Sequence, residues 1–229
     1  MKTLIISDEI KIKAPGLQVL QIEASVVNPD TPDALWNELE TVAARVRGSY
    51  AMDMVNKRPG IAATRAAYKA CGKEPNRYRP STEALMRRMV KGLELYRTTA
   101  VVDLINLLSV ACGHSIGGFN ADAIDGDTVT LGIGREGEPY EGIGRGLLNI
   151  AGMPVWRDST GGIGTPTSDN ERTKLTPSTS RLLMIVNMYG EEMAAGDIVA
   201  LATRLLETYA GARDIPNYNR TPITEKWKF

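Results

Sequence analysis

Residues 78–120 constrain the fold of this chain more than any other stretch. Within them, residues 100–112 place Val101, Leu104, Ile105, Leu108 and Ala111 at helical spacing. That apolar face is broad enough to predict a largely buried helix. Two polar residues, Asp103 and Asn106, stand three apart on it and share a face. A carboxylate on a buried helix must be paired or hydrogen-bonded, because isolated charge is costly in apolar surroundings. Asp103 therefore either ties the backbone of a neighbouring loop or lines a pocket. The helix runs out into Gly113-His114-Ser115-Ile116-Gly117-Gly118-Phe119-Asn120, a glycine-rich exit.

A second helix precedes it. Ser81 or Thr82 is the expected cap, and Glu83 suits the positive end of the helix dipole. Leu85, Met89, Leu93 and Tyr96 form its apolar stripe, so Arg87, Arg88, Lys91 and Glu94 face away. Such a basic face is either plainly solvated or set against phosphates. His114, the single histidine, stands just past the end of the apolar helix, where the dipole favours a cation. With no cysteine, serine elbow or second histidine nearby, it reads as a structural cap or an exposed residue.

The flanking segments read as scaffold. Residues 17–27 alternate, with Leu20, Ile22, Ala24 and Val26 on one face and Gln21, Glu23 and Ser25 on the other, as in a strand. After Asn28-Pro29-Asp30, Thr31 is the expected cap of a helix through Leu35, Leu39 and Val46, with Pro32 in its first turn. Residues 61–71 favour helix, and 72–80 form a basic loop with two prolines. Asp125-Gly126-Asp127 signals a turn into a strand at 128–133. The glycines between 132 and 164 fit tight turns, since neither Gly-x-Gly pair continues into a dinucleotide fingerprint. Residues 154–156 and 181–188 read as strands, and 191–212 as the last long helix. The tail beyond it packs through Trp227 or frays. The run 157–173 is rich in hydroxyls and charges and poor in core residues, a composition typical of functional loops.

Strands and helices mix without a βαβ rhythm, which predicts one α+β (mixed α/β) domain with a mixed sheet flanked by helices. The expected division is an N-terminal strand–helix extension at 1–58 packed on a core at 59–212, with a tail at 213–229. Formal net charge is zero over 229 residues, so no global basic footprint marks a dedicated nucleic-acid binder. Cys71 and Cys112 have no metal or redox spacing and read as free thiols in a reducing cytoplasm. No run approaches the ~18 apolar residues of a membrane span. No metal or cofactor motif is present.

Six pieces of the chain, spread over about residues 60–190, resemble one family. They are Ser81-x-Glu83-Ala84-Leu85-x-Arg87-Arg88, Val101-Val102-Asp103-x-x-Asn106, Gly117-Gly118-Phe119-Asn120, Gly137-Glu138, Ser168-Asp169-x-x-Arg172-Thr173 and Thr176-x-x-Thr179. Together they are similar to the editing module of the bacterial phenylalanyl-tRNA synthetase beta subunit, its third-and-fourth-domain unit. The likeness is greater to free-standing proteins built from that module alone. The resemblance implies that module's fold, binding of tRNA or aminoacyl-tRNA, and hydrolysis of a misattached aminoacyl ester, tyrosine in the synthetases. This chain departs from the editing enzymes at three places. Ile105 stands where they have threonine, Gly117 where they have histidine, and 182–187 is apolar apart from Asn187 where they carry a pocket glutamate.

On the editing reading, Asp103, Asp169 and Arg172 are the candidate catalytic residues, as water-positioning carboxylates and an oxyanion donor. Asn106, Gly117, Gly118, Asp158, Gly161, Gly162, Ser168 and Thr173 are the candidate substrate-binding residues. Arg87, Arg88 and Lys91 would meet phosphates. The alternative is a non-catalytic module for RNA or a small amino-acid-like ligand, with Asp103, Asn106 and Arg172 fixing the ligand's charges. A domain kept only for partner binding is a third reading.

Overall fold

A computed structural model describes residues 1–213 and 215, and the backbone of 219–222. In chain order the elements are β1 (Thr3–Ile6), α1 (Asp8–Lys13), β2 (Gln18–Ser25), α2 (Asp33–Ser49), α3 (Pro59–Ala70), α4 (Ser81–Val90) and α5 (Ala100–Cys112). There follow β3 (Ser115–Asn120), β4 (Thr128–Ile133), β5 (Glu141–Gly142), β6 (Gly146–Leu147), β7 (Pro154–Arg157), β8 (Gly162–Gly164), β9 (Arg181–Met188), α6 (Ala195–Ala210) and β10 (Asn219–Pro222). The α+β expectation holds, with two four-stranded sheets in place of one. Their orders are β1-β4-β7-β8 and β10-β2-β9-β3, and β5 and β6 form a separate small hairpin.

The strand period of two explains the layering. On β9, Leu182, Met184 and Val186 pack with Leu20 and Ile22 of β2 against the helices. Leu183 and Ile185 point the other way and meet Val129, Leu131, Trp156 and Ile163 of the first sheet. The second sheet is thus covered on both faces, so β9 reads as a continuous apolar run rather than an alternating one. On β2 the face expected to be polar is closed at Gln21, which is 1% exposed and whose amide donates to the Lys2 carbonyl at 2.6 Å, and opens through half-buried Glu23 to exposed Ser25. Residues 1–58, expected to be packed on the core, supply strands to both sheets. β1 pairs in parallel with β4, and β2 pairs antiparallel with β9 over eight residues. The expected packing of Trp227 lies outside the described residues.

Helix α5 is the hub. It packs against α2, α4, α6 and β3, and Val101, Leu104 and Leu108 are wholly buried. Two helix ends differ from expectation. Pro32, not Thr31, occupies the cap position of α2, and Thr31 turns its hydroxyl to Asp103 instead. α4 stops at Val90 because Gly92 takes a left-handed φ of +69°, a conformation that favours glycine. Leu93 and Tyr96 therefore leave the helix stripe and lie exposed, at 49% and 73%. Among the described residues, no helix is long and apolar enough to cross a membrane.

Candidate functional site

A cleft of about 290 Å³ opens between α4, α5, β3 and the 165–175 loop. Its apolar wall comes from Leu85, Val102, Ile105, Ile116 and Leu175, and its polar part from Ser81, Asn106, Ser168 and Asp169. Backbone packing sets its depth. A Cβ at Gly118 would lie 2.5 Å from Ile105 Cδ1 and 3.1 Å from Leu175 Cδ1. A side chain at 118 would have to push the ends of Ile105 and Leu175 aside; the Gly118 amide donates to Asp169 Oδ2 at 3.1 Å. Gly117 faces the opposite side of the strand. A Cβ there, or at Gly164 on β8, would come within 2.5 Å of the Phe119 ring. The ring fills the space, so the histidine of the editing enzymes has no room at position 117.

Asp169 is held by its loop. Its carbonyl accepts from Ile143 N at 3.0 Å. On either side of it, Thr165 N donates to Ser168 O at 3.1 Å and Asn170 N to Ile163 O at 2.8 Å. Among the described residues its carboxyl has one donor, the Gly118 amide, where a carboxylate strongly held in its ionised form accepts two or three. Burial accordingly pushes the carboxyl up to about 7, with the Gly118 amide pulling weakly the other way. Asn106, on the same wall, has no partner for its amide among the described residues. The cleft thus holds a group able to exchange a proton near neutral pH beside a free amide donor.

A wider groove of about 590 Å³ adjoins the cleft and shares Ser81, Leu85 and Asn106 with it. Arg79, Arg88, Lys91 and Arg145 line it, with the exposed Tyr96 ring. Arg88 sits over that ring at 4.3 Å. Arg87 also borders the groove, but its guanidinium is committed. Glu83, wholly buried, takes Arg87 Nε at 2.8 Å and Arg65 at 2.9 Å, with Arg79 at 3.9 Å.

The B3/4 domain family model matches residues 63–211, more than half of the chain. The chain belongs to the B3/4 domain family. The module resemblance read from its motifs is thereby borne out. No curated protein matches the chain by sequence. Among solved structures, an N-terminal fragment of the phenylalanyl-tRNA synthetase beta-subunit from Pyrococcus horikoshii is similar, with a TM-score of 0.47 and 11% identity. That alignment covers 92% of this chain and 49% of the other, so the chain spans about half the length of that structure.

The B3/4 cleft gathers only some of the candidate residues. Asn106, Gly118, Ser168 and Asp169 line it; Asp103 does not. Asp103 is wholly buried and accepts three hydrogen bonds, from Thr31 Oγ1 at 2.5 Å, Thr98 N at 3.0 Å and Thr98 Oγ1 at 2.8 Å. It ties two loops to the first turn of α5, the structural role left open by the sequence. Arg172 is likewise outside the cleft. It forms a two-pronged pair with Asp158, at 2.9 and 2.7 Å, and donates to the Ala123 carbonyl. Asp158 also accepts from Gly161 N and Asp125 N, so Arg172 and these amides hold its carboxyl below the usual range against the upward push of burial. Asp158, Gly161 and Arg172 thus clip loops together away from the cleft. Gly162 lies in β8, where a Cβ would meet the Tyr140 ring at 2.8 Å, and Thr173 is buried off the cleft.

His114 is neither a cap nor exposed. It is wholly buried, and neither ring nitrogen has a partner among the described residues. Burial lowers it to about 4, Glu192 opposing and nearby Arg58 assisting, so the ring is neutral. The cation at the end of α5 is Arg58, which donates to the carbonyls of Val110 at 2.6 Å and Ala111 at 2.9 Å and pairs with Glu192. Asn187 of β9 is held by Trp156 Nε1 at 2.9 Å and donates to Ser115 O. The sequence reading missed Arg145 and Ile143. Both sit on the β5–β6 turn, whose signal was the Gly144-Arg145-Gly146 run with both glycines at positive φ.

Proposed function

We propose that this B3/4 domain acts on tRNA in trans, in the cytoplasm, taking the 3′ end of a charged tRNA and hydrolysing its aminoacyl ester. The reading is carried by one observation: a carboxyl near neutrality, Asp169, in an apolar cleft that adjoins a basic groove through Ser81, Leu85 and Asn106. The groove suits the phosphates of the terminal nucleotides, through Arg79, Arg88, Lys91 and Arg145. The exposed Tyr96 ring offers a base a stacking surface. The cleft, at the low end of the ~300–1,000 Å³ range of ligand sites, suits the aminoacyl group.

In the reaction, a water oxygen bonds to the ester carbonyl carbon while Asp169 takes the water proton. Asn106 donates to the carbonyl oxygen as it gains negative charge. The bond to the ribose oxygen then breaks, and Asp169 returns the proton to that oxygen. Free amino acid and uncharged tRNA leave. Arg172 has no part in this scheme, because Asp158 occupies its guanidinium.

A second reading has its own support. Ile105 and Gly117 replace the threonine and histidine of the editing enzymes, which favours a non-catalytic module that only holds the charged end or an amino-acid-like ligand. Deacylation of a full panel of charged tRNAs by purified protein separates the two. The editing reading expects a rate above background on at least one tRNA, lost in Asp169→Asn. Background rates throughout, with tRNA binding retained, would leave the binding module.

A further inference from the structure

We infer that the cleft selects an apolar aminoacyl side chain without a hydroxyl and discriminates against the hydroxylated isostere. This rests on the reading that the cleft receives an aminoacyl group. The cleft leaves few polar groups unspent. Leu85, Val102, Ile105, Ile116, Ile143 and Leu175 offer no hydrogen bond. Each hydroxyl among them is committed or closed off except Ser81 Oγ, which stands on the border shared with the basic groove. Thr98 Oγ1 donates to Asp103 at 2.8 Å, and Ser109 Oγ donates to the His114 carbonyl at 2.7 Å. Thr165 Oγ1 donates to the Ser168 carbonyl at 3.0 Å and accepts two backbone amides. Ser168 Oγ donates to the Asp169 carbonyl at 3.2 Å. Thr99 Oγ1 has no partner among the described residues but is shut off from solvent.

Lys174 is paired with Glu171, and the unspent polar groups, Asp169, Asn106 and Ser81 Oγ, lie where the ester itself must react, Asn106 and Ser81 being shared with the groove that takes the tRNA end. A side-chain hydroxyl pressed against the apolar wall is therefore left without a partner. That loss costs about 1–3 kcal/mol, or roughly five- to 150-fold in binding. Ile105 is the determinant. Its Cδ1 occupies the space that Gly118 leaves open, so it forms the floor against which the side chain rests. Ile143 supplies the outer edge from the β5–β6 turn, where it is 40% exposed.

The test uses amino-acid amides, which keep the α-ammonium group but present no ester to hydrolyse, on the full chain. Valinamide and threoninamide form one isosteric pair, phenylalaninamide and tyrosinamide another. Titration calorimetry and thermal shift then rank each pair. We expect the apolar member of the better-bound pair to bind about ten-fold tighter. Ile105→Thr should bring that ratio towards one. Ile143→Thr, at an exposed turn that the fold does not depend on, should lower it by a few-fold even if the Ile105 variant misfolds. Equal affinities, a tighter hydroxylated member, or no binding by any amide overturns the inference. Ranking without tRNA deacylation retires the hydrolysis and keeps the selectivity; deacylation without ranking does the reverse.

Discussion

Asp103 and Asp169 are two carboxylates set against the same helix–strand unit, α5 and β3, and they have opposite surroundings. Asp103, in the first turn of α5, accepts three hydrogen bonds and touches no cleft. Asp169, against β3, accepts one and lines the cleft with its carboxyl raised to about 7. Asp103 is wholly buried and Asp169 half-buried, yet it is the less buried one whose carboxyl is raised. The number of donors distinguishes them: a fully satisfied carboxylate is an anchor, and an under-satisfied one is held close to proton exchange.

Substitution should separate the two carboxylates most. Asp169→Asn keeps the shape and can still accept from Gly118, so the fold should stand while the deacylation rate falls about 10²–10⁴-fold. Asp103→Ala should do the reverse. It strands Thr31 and Thr98 without their acceptor and should cost about 3 kcal/mol in denaturant unfolding, with the rate per folded molecule changed by no more than a few-fold.

The pH dependence sharpens the contrast. Because the folded-state value of Asp169 is raised from 3.8 to about 7, the folded chain keeps a proton that the unfolded chain releases between those values. Its contribution is full below about pH 4 and is lost as pH rises through 7. Asp169→Asn should therefore gain stability over wild type between pH 5 and pH 8, by on the order of 2–3 kcal/mol in urea unfolding. His114 has the opposite sign. Its value is lowered from 6.5 to about 4, so its contribution is present above 6.5 and lost as pH falls through 4. The two slopes oppose each other between about pH 4 and 6.5, and the Asp169 variant should expose the acid loss due to His114. The smallest effect belongs to the groove. Lys91→Ala or Arg145→Ala should weaken tRNA binding only a few-fold and reduce its salt slope by about one.

The fold was legible where periodicity had one cause. The apolar run of β9, the broad face of α5 and the turn at Gly126 appear as read. Layering was less legible, because a strand covered on both faces looks the same whether helices or a second sheet cover it. The site was legible by residue type more than by role. Asp169 and Asn106 were named from the motifs, yet so were Asp103 and Arg172, and nothing in one sequence says which side chains meet a partner across the fold. Asp103 finds Thr31 from 72 positions away. Arg172 finds Asp158 across a loop of hydroxyls that reads as functional. His114 misled for the same reason: the cation expected at the end of α5 arrives from Arg58, 52 positions upstream of the Val110 carbonyl it meets.

The most direct measurement is a titration of the Asp169 side-chain carboxyl carbon by ¹³C NMR in the intact protein. We expect a midpoint near 7, and a pH–rate profile for deacylation that rises through the same value and is absent in Asp169→Asn. A midpoint near 4, with the carboxyl fully ionised at neutral pH, would contradict it.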